Sequence, residues 1–470
     1  MNLQSRSDTE SRFDAYVGAI ASVMDHTDRV GPLRAYCTGL MLPGERKSVE
    51  PLAARTAPAR VSAQHQSLLH FVGQSEWLDE KVMSKVRELV LPVMERREPI
   101  QVWIIDDTGI PKQGKHSVGV ASQYCGQRGT NANCQVAVSL SIANHFASLP
   151  VAHRLYLPKQ WAEDKPRRRK AGVPAKIKFK TKQQIALDHI TWAYRSGLPK
   201  GVLLVDADYG RDSKVRRKAT DLGLKYVAGI QPSTLVWRPG TAPQPGEKPR
   251  KGRRGRANVV DVKEVAVELP AKAWQTIEWR EGSANVLSSR FARLRVRVAN
   301  RNVPLNGPEE EWLLIEWPED EKEPTKYWLS TLAQDVTFRE LVDYAKLRWR
   351  IERDYEELKQ EVGLGHFEGR SWRGFHHHAT LCIAAYGFLI SERETIPPSG
   401  GPTTRHFTQS TVPDRRRSRQ SADPAGTPHA QFNCDSAHVP GIRSGQTDPA
   451  MSLLYRPNCR SIRAKTFVTQ

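Results

Sequence analysis

An α/β fold built on a mixed sheet is what this sequence predicts, on three observations. Between Ile100 and Gln231 the signals run strand, strand, strand, helix, strand, helix, strand. One of these strands, in "KGVLLVDADYG", is a continuous apolar run, the form expected when both faces of a strand are covered. Helical periodicity then returns only from Phe338, behind a further series of strand signals. This is the order of an RNase H-like core whose final helix is delayed by a β-rich insertion.

Each element has its own local reason. In the first hundred residues, Phe13, Tyr16, Val17, Ile20, Val23 and Met24 recur at helical spacing, and so do Leu78, Val82, Val86 and Leu89. Pro92 is expected to end or kink the second helix. Between these runs, "LPGERKSVEPLAARTAPARVSAQHQ" reads as a polar, basic connector. Residues 1–98 are therefore a helical domain of a kind that often binds DNA, or a plain helical cap.

"QVWIIDD", "SVGVASQYCG", "CQVAVSLSIAN" and "LPVAHRLYLP" are short β-rich runs, and their succession suggests an antiparallel meander. A helix carrying Leu187, Ile190 and Tyr194 follows, then the buried strand, then a helix closed by Gly223, then "KYVAGIQ". Residues 99–233 thus form the first part of the core. The insertion spans 234–333, with "QTIEWREG", "RFARLRVRVAN", "EEWLLIEW" and "TKYWLST" as its strands, and 334–390 supply the final helices. Residues 391–470 are rich in Pro, Ser, Thr and Arg without periodicity and are expected to be disordered. The abrupt change suggests a tail unrelated to the fold, from a reading-frame change near Gly400.

Lys and Arg number 71 against 51 Asp and Glu, a net charge of +20 over 470 residues. Such an excess favours a polyanionic partner, nucleic acid before an acidic membrane surface. The N-terminus has no apolar signal-peptide core, and the longest apolar run, Ala379 to Ile390, is short of the roughly 20 residues that span a bilayer. No membrane partner is expected. The six cysteines show no paired metal-ligand spacing and read as free thiols of a reducing cytoplasm.

The chemistry concentrates in "RWRIERDYEELK", Arg348 to Lys359, which carries eight charges in twelve positions, four of each sign. On a helical wheel Leu347, Ile351, Tyr355, Leu358 and Val362 form an apolar stripe. Arg348, Glu352 and Lys359 lie within about 40° of one another along its edge. Taken alone, an Arg–Glu pair four residues apart is ordinary helix stabilisation. Two other acid sites change that reading: Asp106 or Asp107 closes the first core strand, and Asp206 closes the buried one. In an RNase H-like sheet these strands are neighbours, and a later helix can bring a third acid to the same place. Carboxylates so gathered suit hard divalent cations, which support in-line displacement at phosphorus.

"RWRIERDYEELK" resembles the helix signature of bacterial insertion-sequence DDE transposases, the group named for its Tyr-Arg-Glu-Lys motif. Arg348, Glu352 and Lys359 match its spacings; where the tyrosine is expected Ala345 stands, with Tyr344 one position further back. "IIDDTG" and "VDADYG" resemble the two aspartate motifs, and the resemblance extends over about residues 40–390, "LPGERKSVEPLA" included. It implies Asp107, the aspartate followed by Thr, with Asp206 and Glu352 as the catalytic and metal-binding triad; Asp106 and Asp208 are their alternatives. It implies two Mg²⁺ (or Mn²⁺) ions, phosphate contacts from Arg348 and Lys359, and hydrolysis at the element's ends followed by strand transfer. Double-stranded DNA, as terminal inverted repeats and target, is the partner so implied, bound by a homodimer. A nuclease of the same fold without strand transfer, and a non-catalytic DNA-binding relic, are the competing readings.

Two basic runs, around Arg168, Arg169 and Lys170 and around Arg253 and Arg254, are further candidates for backbone contact with DNA. His376 to His378 point in successive helical directions, which favours packing or a phosphate-side role over a metal site. Trp237, Trp274 and Trp279 are candidates for base stacking, with core packing the commoner fate.

Overall fold

The computed structural model describes residues 3–238, 240–241, 258–281, 286–299 and 310–396. Arg253, Arg254 and the expected disordered tail lie outside the described residues.

Five helices open the chain: α1 (Leu3–Ala21), α2 (Val30–Met41), α3 (Val49–Thr56), α4 (Val61–Gly73) and α5 (Asp79–Glu95). The expected connector is thus largely helical. Val49, Leu52 and Ala53 are buried one helical turn apart in α3, a stripe that its charged neighbours disguise. Pro92 sits inside α5 without ending it.

Next come β1 (Val102–Pro111), β2 (Ala121–Cys125), β3 (Thr130–Ala143) and β4 (Ser148–Leu155). They pair antiparallel as expected, but not as a simple meander: β3 lies beside β1, and its far edge carries both β2 and β4. Two short helices, α6 (Lys159–Glu163) and α7 (Lys165–Lys170), precede α8 (Lys182–Arg195). Thr181 and Gln184 cap α8 reciprocally. The chain continues through β5 (Val202–Val205), α9 (Ala207–Gly210), α10 (Ser213–Asp221) and β6 (Tyr226–Ile230). β5 runs parallel to β1 on one side and to β6 on the other. The fold is RNase H-like α/β, as the element order predicts.

The later strands extend this sheet. They are β7 (Leu235–Trp237), β8 (Val259–Asp261), β9 (Gln275–Glu281), β10 (Val286–Val298), β11 (Glu311–Trp317) and β12 (Lys326–Ser330), with α11 (Val262–Glu268) among them. β12 pairs antiparallel with β6, so that among the described residues all twelve strands join one sheet. A second capping box, Thr337 with Glu340, starts α12 (Phe338–Leu347). α13 (Trp349–Gln360) follows after a break at Arg348, and Gly363, at φ +85°, turns the chain into α14 (Trp372–Thr395).

Side chains alternate across the sheet. Val102, Ile104 and Leu204 pack with Leu341, Ile351 and Tyr355 of α12 and α13. Trp103, Ile105, Leu203 and Val205 lie in the larger core with Ile185, Ala186 and Ile190 of α8. That core also holds Phe13, Tyr36, Leu68 and Val86 against Phe375, Ile383 and Phe388 of α14, so the opening helices are built onto the final one. His376, His377 and His378 are buried in this contact, His377 and His378 stacked against Trp77 and Phe367 and His376 tilted against Trp372. Their role is packing.

Candidate active site

The parallel register of β1 and β5 pairs Ile104 with Leu204 and Ile105 with Val205, which carries Asp106 and Asp206 out side by side at the strand ends. Following Ile104 and Leu204 in the alternation, both acids face α12 and α13. Asp206 stays extended and caps α9, accepting from the backbone N–H groups of Asp208 and Tyr209, each at 3.0 Å. This corner lies flush on β6 because Gly229 has no side chain: a Cβ there would stand 2.8 Å from the Ala207 nitrogen.

On the same face stands Arg348, at the junction of α12 and α13. Its Nη1 donates to Asp106 Oδ2 at 2.7 Å and its Nη2 to Glu352 Oε1 at 2.6 Å. The wheel position of Arg348 beside Glu352 is thus realised, with a third group in the contact. Glu352 is exposed while Asp106 is largely covered.

Asp107, the acid that the resemblance implies, points to the other face with Trp103 and Ile105. There Tyr209 donates to its Oδ2 at 2.9 Å and Lys182 Nζ, at the start of α8, to its Oδ1 at 3.2 Å. The strand pleat is the reason: adjacent aspartates in β1 face opposite sides, and only Asp106 shares a side with Asp206 and Glu352. Asp208, the alternative to Asp206, lies within α9 rather than at the strand end.

Burial is the largest influence on Asp106 and pushes its carboxyl up to about 7; Arg348 opposes the shift, while Asp206 and Asp107 add to it. Asp206 is raised as well, chiefly by burial, with Arg348 and the Tyr209 backbone hydrogen bond opposing and Asp208 and Asp107 adding. For Arg348, burial works against the cation, but Asp106, Glu352 and Asp206 outweigh it and raise its pKa. One guanidinium therefore serves three carboxylates, and two of these remain short of positive charge. Oxygen donors under-neutralised in this way suit a hard divalent cation. Among the described residues, no three carboxylate, histidine or cysteine side chains are gathered closely enough to hold a metal ion as they lie. Arg348 accounts for the spacing, because it stands between Asp106 and Glu352.

Two groups that sequence reasoning missed fix the helix. Asp354, two residues beyond Glu352, is buried and accepts from Ser148 Oγ of β4 and, at 2.9 Å, from Tyr386 Oη of α14. Lys47, also buried, donates from Nζ to the carbonyls of Leu40 and Glu361, and its backbone N–H donates to His366 Nδ1 at 3.0 Å. It ties the loop after α2 to the end of α13. Lys359 is partly covered, its ammonium 5.9 Å from the Tyr355 ring centre, and it lines an open cleft beyond the carboxylates.

Of the basic candidates, Arg169 and Lys170 are exposed on α7. Arg168 is not free for a phosphate in the same way. Its guanidinium donates to the carbonyls of Ala162, Pro174 and Ile177 and holds its own loop together. Ala345, at the expected tyrosine position, is buried, and the Tyr344 hydroxyl donates to Gln101 Oε1 at 3.3 Å. Trp274 packs edge-on against Trp317, and Trp279 lies under the Lys346 ammonium. No helix of the described residues is long and apolar enough to cross a membrane.

In-register acids at the ends of two parallel strands of an RNase H-like sheet, faced by a helix bearing a third acid and a cation, make an arrangement suited to divalent-cation chemistry at phosphorus. The chain belongs to the DDE superfamily endonucleases, whose family model matches residues 20–286 and so includes Asp106, Asp107 and Asp206. It is also similar to a protein of Microchaete diplosiphon described as "Probable transposase for insertion sequence element IS701". The two are 26% identical over 305 residues, covering 64% of this chain and 68% of the other.

Proposed function

We propose that the protein is a DNA transposase that cuts the ends of an insertion sequence and joins them to target DNA, with Asp106, Asp206 and Glu352 as its catalytic carboxylates. The observation that carries this reading is the in-register pair Asp106 and Asp206 facing Arg348 and Glu352 across one side of the sheet. The endonuclease family and the transposase relative support the reaction class.

Two Mg²⁺ (or Mn²⁺) ions held by these carboxylates would activate the attacking oxygen and stabilise the leaving one. The chain's own residues do the rest. Asp206 is oriented by two backbone N–H groups, which leaves its second oxygen for a ligand. Arg348 compensates the carboxylates until substrate arrives and then turns its fork to a phosphate, a bidentate, charge-assisted contact. Lys359 binds the strand further along, and Arg169 and Lys170 add backbone contacts on double-stranded DNA. Tyr209 and Lys182 hold Asp107 on the opposite face, where it supports the corner that carries Asp206.

Incubating the protein with uncut and with precut element ends, a target plasmid and Mg²⁺ tests this directly. Joined product, lost in Glu352→Gln, is the expected result. Cleavage without joining would make the protein a nuclease of the same fold, and cleavage unaffected by Glu352→Gln would reject the triad.

A further inference from the structure

The β-rich insertion grips the helix that leads into the carboxylates. Lys346, in the last turn of α12, reaches onto the strands of that insertion, where its Nζ donates to Glu316 Oε1 of β11. The ammonium lies 4.5 Å from the ring centre of Trp279 on β9, 5.4 Å from that of Phe291 on β10 and 5.8 Å from that of Trp328 on β12. All three rings are within the range of cation–π attraction. The Lys346 and Glu316 side chains are only 11% and 7% exposed, so the pair sits in a box nearly closed to water.

Stability does not explain a charged pair in this place. Taking two charges out of water largely cancels their attraction, and apolar side chains of similar volume commonly serve as well. What the pair adds is direction. A cation set among one carboxylate oxygen and three rings has a single seat, whereas an apolar side chain can slide. Two residues on, about 3 Å along the helix, Arg348 starts its fork to Asp106 Oδ2 at 2.7 Å and Glu352 Oε1 at 2.6 Å. A shift of about 1 Å at that point would take either bond beyond hydrogen-bond range.

We propose that Lys346 and Glu316 are positioning residues of the candidate active site, seating the α12–α13 junction on the insertion so that one guanidinium meets Asp106 and Glu352 together. The insertion then sets the geometry of carboxylates that lie outside it: β11 stands four strands from β1, about 19 Å across the sheet. The inference rests on the transposase reading only for the reaction that a misplaced Arg348 would slow.

The test uses the full-length protein and the paired substitution Lys346→Met with Glu316→Leu, which removes both charges and is expected to melt close to the wild type. Denaturant titration with divalent ions chelated then measures how far Asp106→Asn changes the unfolding constant, in the wild type and in the paired variant. Independent sites at this separation multiply to within about twofold. The effect of Asp106→Asn is expected to differ between the two backgrounds by about fivefold or more. That of Asp107→Asn, equally distant but on the opposite face, is expected to agree within about twofold. Because nothing is cut, this result holds or falls separately from the transposase reading. In the cleavage assay the paired variant is expected to lose about tenfold or more, the consequence of a misplaced group. No difference for Asp106→Asn, an equal difference for Asp107→Asn, or wild-type cleavage by the paired variant would overturn the proposal. Should the paired variant fail to melt cooperatively, Glu316→Leu alone takes its place, since a buried Lys346 can shed its proton, and is held to the same outcomes.

Discussion

Arg348 donates to Asp106 at 2.7 Å across 242 residues of chain, a bond that adds an ionic link to the packing of α13 on β1. Both groups are largely covered, so neither is cheaply left alone. Removing one partner of a buried ion pair typically costs about 3–5 kcal/mol. Arg348→Met is therefore expected to lower the melting temperature markedly in metal-free buffer. Millimolar Mg²⁺ should recover part of the loss, because a cation then serves the same carboxylates. Thermal melts with and without Mg²⁺ check this; a loss that Mg²⁺ leaves unchanged would mean that Arg348 and the ion do not share a site.

The raised carboxyl of Asp106 gives a pH dependence of definite sign. Its pKa is about 7 in the folded protein against an ordinary 3.8, so the folded state holds a proton that the unfolded chain has lost. The stability this supplies is fully present below pH 3.8 and is lost as pH rises through about 7. Asp106→Asn, unable to titrate, should flatten this dependence: relative to wild type the variant gains stability from pH 5 to 8 without metal. Paired melts across that range measure the difference. A difference constant with pH would show that Asp106 is not held protonated.

Asp354 acts on the site through the position of α13. Its two hydroxyl partners lie on β4 and α14, so the acid pins the helix that carries Glu352 at both sides. Asp354→Ala leaves buried hydroxyls without an acceptor and is expected to cost about 2–4 kcal/mol and to reduce cleavage. Asp354→Asn keeps an acceptor and should recover most of both. Denaturant titration alongside a cleavage assay separates the two variants.

Lys47 makes a parallel link from the opening helices. Lys47→Met keeps the aliphatic stem but removes the donors to Leu40 and Glu361, at an expected cost of about 1–3 kcal/mol. Hydrogen exchange should quicken at the end of α13 and in residues 361–366, whereas the β10–β11 pairing should exchange as before. Uniformly faster exchange would show a global rather than a local role.

The sequence reveals the order of the core because continuous apolar runs mark its strands and helical periodicity marks the helices between and after them. It also reveals Arg348 beside Glu352, since helical spacing alone sets that neighbourhood. It cannot phase a strand with two adjacent aspartates, because "DD" fits either pleat; the register with β5 and the packing of Ile104 put Asp106 on the side of Asp206. Asp354 escapes notice because a buried acid in a run of eight charges looks like the solvated ones. Arg168 looks free for the converse reason: its partners are main-chain carbonyls, which leave no trace in side-chain patterning. The role of Lys47 needs contacts between segments hundreds of residues apart.

In the proposed catalytic set Asp106, rather than Asp107, joins Asp206 and Glu352. Mg²⁺-dependent cleavage of an element-end duplex by Asp106→Asn and Asp107→Asn, measured side by side with Asp206→Asn, tests it most directly. Asp106→Asn and Asp206→Asn are expected to lose cleavage by at least about 10³-fold, as for a group acting at the reacting atoms, while Asp107→Asn keeps measurable activity. Full activity in Asp106→Asn together with none in Asp107→Asn would contradict it.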